Sequence, residues 1–216
     1  MSGNNLIVNN NGRKRIITTP LIALLIAVVI SISFASVFVY YPMAVTLQPV
    51  QPPVYFEKGS NADADDLGSN KISVLIGSNG TLLTITVHPT YQVTYYKNVS
   101  IVYNNDAKSY KVCFKVNTPL SNLPSGSTAY LYIYSKGGTR SLSGYPTPTP
   151  SSYLAQIDLI TTGTTCASST LGSTEFFEID LYIYIPEGYD VGMISGKTYT
   201  ANLLLIYTPQ TSETPP

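Results

Sequence analysis

Glu175-Phe176-Phe177-Glu178-Ile179-Asp180-Leu181-Tyr182-Ile183-Tyr184-Ile185 has the period of two that a β-strand requires. The alternation puts Glu178 and Asp180 on one face with Tyr182 and Tyr184, which reads as a polar outer face. Seven further segments carry the same signal: Ile72–Ile76, Leu82–Val87, Val93–Tyr103, Tyr110–Thr118, Ala129–Tyr134, Tyr153–Ile160 and Thr198–Tyr207. They are rich in β-branched and tyrosine residues and bounded by Gly, Pro, Asn and Ser. Ser78-Asn79-Gly80 is a hairpin-turn signal, and Tyr145–Pro150, with every second residue Pro, reads as a loop. Eight or nine strands with no helix among them predict an all-β chain, a single jelly-roll or immunoglobulin-like β-sandwich spanning 59–208, with a polar tail at 209–216.

Composition points the same way. Only 11% of the 216 residues are charged, and there are 18 Tyr and no Trp. Soluble domains usually carry about a quarter charged residues, so Ser, Thr, Asn and Tyr must cover this surface. Such a surface suits contact with copies of itself or a coat of glycans. No basic stripe exists for nucleic acid, and no small-molecule substrate is implied.

Upstream, Arg13-Lys14-Arg15 precedes an uncharged apolar run from Ile16 to Tyr41, while every acidic residue lies at or beyond Glu57. A cationic flank followed by an apolar segment is an export leader that meets the membrane during translocation. Small residues at Ser33 and Ala35 favour cleavage between Ala35 and Ser36, making 1–35 a signal peptide. A retained N-terminal membrane segment and prepilin-type processing ahead of the run are the alternatives; Arg15 at the border of the run counts against the latter.

Behind the leader, 36–58 reads as an apolar strand and a connector. Val37, Val39, Tyr41, Met43, Val45 and Leu47 share one face, interrupted by Pro42. Gln48-Pro49-Val50-Gln51-Pro52-Pro53 should be extended and stiff.

Chemistry-bearing residues are sparse. His88 is the sole histidine and reads as a strand-end residue; no nucleophile elbow, phosphate loop or zinc spacing accompanies it. Asn61, Asp63, Asp65 and Asp66 place oxygens like the opening of a calcium loop, but Asp66 stands where Gly is wanted and Ile72 where Glu belongs. A solvated acidic loop is the simpler account, with calcium the alternative; no other cofactor is implied. Cys113 shares a face with Lys111 and Lys115, and Cys166 lies in the small polar stretch Thr161–Thr170, so a disulfide would pin that loop to the outer sheet face. Glycosylation triplets begin at Asn79, in a turn, and at Asn98, mid-strand.

The export leader, Met43-Ala44-Val45-Thr46-Leu47 with its proline connector, the segment Tyr95–Thr118 and the closing strand in Gly196–Pro209 together resemble the archaeal bundling pilins and the TasA/camelysin biofilm-matrix fibre proteins. The likeness lies in the order of elements. It implies a jelly roll lacking one strand and a homopolymer, an extracellular cell-surface filament, built by donor-strand complementation, with Val37–Leu47 as donor. Pairing of that segment within its own domain is the simpler alternative. A membrane-anchored surface domain and a type IV pilin-like subunit are the competing functions, and no enzyme activity is expected.

Overall fold

A computed structural model describes residues 18–33, 38–144, 147–188 and 196–215. The leader's Arg13-Lys14-Arg15, the Ala35–Ser36 cleavage site and Val37 lie outside them. The chain divides into two units, 1–48 and 49–216.

The first unit holds one helix, α1 (Thr18–Ser33). Leu21, Ile22, Leu24, Leu25, Ile26 and Val28 are each more than half exposed. A helix apolar all round has no solvent face to offer, as in a membrane or a large core. At 1.5 Å per residue it is about 24 Å long. Among the described residues no helix is long and apolar enough to cross a membrane. From 38 to 48 the chain has no regular structure.

The second unit is mostly β, arranged as a sandwich of several sheets. A five-stranded antiparallel sheet runs β1 (Val54–Lys58), β4 (Gln92–Asn104), β11 (Phe176–Ile185), β6 (Thr128–Ser135), β9 (Ala155–Asp158). A three-stranded sheet runs β10 (Gly163–Cys166), β5 (Lys111–Thr118), β12 (Asn202–Thr208). Two hairpins complete it, β2 (Ser73–Ile76) with β3 (Leu83–Thr86), and β7 (Leu142–Ser143) with β8 (Thr149–Pro150). Phe177, Ile179 and Leu181 of β11 enter one core with Val112, Phe114 and Val116 of β5 and Val74 of β2. All eight strand segments read from the sequence are strands, with ends shifted by a few residues.

Three expectations need correcting. The segment 54–58 was assigned to the connector, yet it is β1, in register from Val54↔Asn104 to Lys58↔Ser100, with Val54 buried. Its strand starts directly behind Pro52-Pro53, which is permitted because proline is tolerated at a strand's start. The loop expected around Cys166 contains β10, a threonine-rich edge strand paired to β5. Part of the proline loop also pairs: Leu142↔Pro150 and Ser143↔Thr149, a ladder short enough to admit a proline; Tyr145 and Pro146 lie outside the described residues.

Cys113 and Cys166 face each other in the β5–β10 register and form the disulfide. It joins neighbouring strands of the three-stranded sheet and fixes β10 to β5. The bridge closes a span of 53 residues, for which loop-closure entropy gives about 4 kcal/mol. Replacing both cysteines by serine should therefore lower unfolding free energy by roughly 2–4 kcal/mol, read from denaturant midpoints at unchanged slope.

Candidate assembly surfaces

The three-stranded sheet ends at β12, which pairs only with β5 among the described residues. Asn202-Leu203-Leu204-Leu205-Ile206-Tyr207-Thr208 has no charge and no proline. Edge strands normally carry lysine, proline or a bulge that blocks further pairing, and the register shift between Asn202 and Leu203 sits only at one end.

Burial falls away across this sheet. Val116, Phe114 and Val112 of β5 are buried, but their partners on β12, Leu203, Leu205 and Tyr207, are only half-buried. The β2–β3 hairpin shows the same gradient. Val74 is fully buried, whereas its partner Ile85, and the Ile76–Leu83 pair beyond it, are half-buried. The hairpin is held beside β1, with the Phe56 amide donating to the Gly80 carbonyl at 2.8 Å. Gly80 has φ +66°, and a Cβ there would meet Tyr55 at 2.9 Å, so glycine is required at this contact. No ladder joins β12 to β3. Both free margins present half-buried apolar rows to the same core.

The second surface is the N-terminal segment. Val39, Tyr41, Met43, Val45 and Leu47 are all exposed, Met43 and Leu47 by 85% and 83%. The even positions Phe38 and Tyr40 are exposed as well. Residues 38–50 belong to no sheet.

The outer face of the five-stranded sheet differs from expectation. Glu178, Asp180, Tyr182 and Tyr184 do share it, but Asp180 is fully buried and Glu178 and Tyr182 nearly so. The chain beyond β6 folds back over this face. Arg140 makes a bidentate pair with Asp180 (Nε–Oδ2 2.9 Å, Nη2–Oδ1 3.1 Å), bonds Glu178, donates to the Gly138 carbonyl and lies 4.4 Å over the Tyr134 ring. Asp180 also accepts from the Asn98 amide at 2.7 Å and from the Tyr95 hydroxyl. A buried carboxylate pair needs such partners, and none is adjacent in sequence.

The two glycosylation triplets sit in different settings. Asn98, at φ +44°, occupies the β4 irregularity opposite Asp180, and its side-chain oxygen is enclosed without a partner. Asn79 is exposed at the β2–β3 tip and is the accessible one.

The acidic loop is spoken for. Asn61 donates to the Lys97 carbonyl and Asp63 pairs with Lys58. Asp65 lies opposite Lys71 in an isolated bridge. Asp66, whose side chain is enclosed, accepts from the Leu67 amide (2.7 Å) and the His88 amide (2.8 Å), with its Oδ2 2.9 Å from His88 Nδ1. No group of three or more His, Cys, Asp or Glu side chains is placed to hold a metal among the described residues. The Asp63 and Asp66 oxygens thus serve Lys58, His88 and nearby main-chain amides. His88 sits at a strand end, as read, and gains a role there: it closes the loop onto Asp66.

No protein-family model matches the chain, and no curated protein sequence matches it.

Two outcomes follow from this geometry. Arg140→Ala should destabilise the chain by about 3–5 kcal/mol, because it strands two buried carboxylates, and calorimetry would read the loss. At Asp66, burial pushes the carboxyl up, and the bonds from Leu67 and His88 outweigh it, so it titrates below the ordinary aspartate range. A depressed folded-state pKa gives stability that is present above the unfolded value and lost as pH falls through the folded one. Asp66→Asn should therefore flatten the decline in melting temperature below about pH 4, and an unchanged pH profile would remove Asp66 from acid unfolding.

Proposed function

We propose that the protein is the structural subunit of an extracellular filament, polymerising when the N-terminal segment of one copy adds a strand beside β12 of the next. The observation that carries this reading is the pairing of two incomplete surfaces: an apolar segment with no sheet, and an uncharged sheet edge whose inward residues are half-buried. On this reading the sandwich is a jelly roll lacking a strand between β12 and β3.

Strand addition supplies both halves of what each surface lacks. Main-chain N–H and C=O groups of β12 gain a ladder, and alternate side chains of the donor enter the core in a fixed register. Met43–Leu47 spans about 17 Å and β12 about 23 Å at strand rise, so the donor fits along the edge. Pro42 precedes this stretch, so every residue within it keeps its N–H. Burying Met43, Val45 and Leu47 contributes about 1.5–3 kcal/mol each, opposed by ordering about 1–2 kcal/mol per residue of backbone. The export leader, the low charge and the accessible Asn79 fit a secreted, cell-surface polymer. Copies of the same chain are then the partners.

The full chain carrying Val45→Asp should remain a folded monomer, since the residue is exposed there, yet form no filaments by negative-stain microscopy. Deleting Ser36–Leu47 should do the same, and adding a peptide of Ser36–Gln48 should raise the melting temperature of that truncated form. Filaments that persist in either variant would defeat donor-strand assembly. The N-terminus of protein recovered from cells separates the alternatives: a start at Ser36 supports the filament, and a retained Arg13 supports a membrane-anchored surface domain.

A further inference from the structure

The outer face of the five-stranded sheet carries a second feature that the filament reading does not use. Beside the Arg140 network lies an open cleft of about 410 Å³, within the range of ligand sites. Tyr130, Tyr132, Tyr153, Tyr182 and Tyr184 line it together with Gln156. Tyr132 stands at the centre, with ring centroids 4.9 Å from Tyr153, 6.0 Å from Tyr130 and 6.3 Å from Tyr182. The floor is rigid because Tyr132 and Tyr182 are each only 3% exposed, on neighbouring central strands.

Polar chemistry is interleaved with these rings. The Tyr132 and Tyr182 rings are almost wholly buried, and both residues line the cleft. Thr128 and Thr149 add hydroxyls at the margin. Tyr153 donates to Gln156 Oε1 at 3.0 Å, and both residues line the cleft. Among the described residues no Asp, Glu, Lys or Arg lines the site.

We propose that this cleft binds a neutral carbohydrate. A sugar ring presents an apolar C–H face to an aromatic ring and hydroxyls around its edge that both donate and accept. The tyrosine rings match the first and the Tyr, Thr and Gln groups the second. The absence of charge excludes an ion pair as the source of affinity, which argues against uronic or phosphorylated sugars. Aromatic grooves also take proline-rich peptides, and the chain's own Pro49-Val50-Gln51-Pro52 is such a segment. That ligand offers carbonyl acceptors with few donors, so it would leave the acceptor capacity of these hydroxyls unused. The sugar uses both.

The site is independent of β12 and of the N-terminal segment, so its failure would leave filament assembly untouched. The test is binding of the full chain to immobilised maltohexaose, cellohexaose, mannohexaose and chitohexaose, with oligogalacturonate and a Gln48–Pro53 peptide on the same surface. Saturable binding to at least one neutral hexasaccharide is expected, weakened tenfold or more by Tyr153→Ala. Tyr132→Phe keeps the ring and the fold, and should also weaken binding by removing one hydroxyl. Met43→Ala, outside the cleft, should bind as the parent does. The proposal is overturned if no neutral hexasaccharide binds, if binding survives both tyrosine variants, or if the peptide or the acidic sugar binds as well or better.

Discussion

A fully buried carboxylate in the middle of the central strand organises much of this fold. Asp180 lies on β11, which pairs with β4 on one side and β6 on the other. Its charge must be matched where water cannot reach. Arg140 supplies the countercharge, and to do so the chain after β6 must return across the sheet. The Asn98 amide supplies a further bond, which is available because β4 is irregular opposite Asp180. One ion pair therefore couples a backbone irregularity, a long excursion and the covering of an otherwise exposed sheet face.

The covering gives the sheet two filled faces of different chemistry. The inner face is mostly aliphatic, with Tyr96 and Phe177 among its residues, and closes the sandwich core. The outer face is a tyrosine layer, Tyr132, Tyr134 and Tyr182, packed beneath Arg140 and the returning chain. Tyrosine suits that position because each ring buries apolar area while keeping a polar tip for a partner. The layer ends in an open cleft, where the hydroxyls meet solvent or a ligand.

The sandwich is finished unequally at its margins. Near β10 a disulfide joins neighbouring strands; at β12 nothing among the described residues extends the sheet. A long, apolar and uncharged edge is an aggregation hazard in a monomer. In a polymer the same edge is the joint, and specificity then rests on which strand can reach it with the right side-chain alternation. On the proposed reading, such a subunit is completed by its neighbour.

Local pattern made most of the strands legible, because a period of two over five or more residues survives any tertiary arrangement. The apolar alternation in 37–47 was equally plain, as was the eligibility of Cys113 and Cys166 for a bridge. The short strands at 54–58 and 163–166 were not, since one hides behind prolines and the other has threonines in place of a hydrophobic row. Asp180 was read as a surface residue because alternation tells which face a side chain joins and says nothing about what later folds over it. By itself the sequence determined most of the elements, their faces and the apolar alternation of the N-terminal segment. Only the tertiary structure decided which face is covered and which edge is open, because those depend on contacts between residues tens of positions apart, such as Arg140 with Asp180 and Cys113 with Cys166.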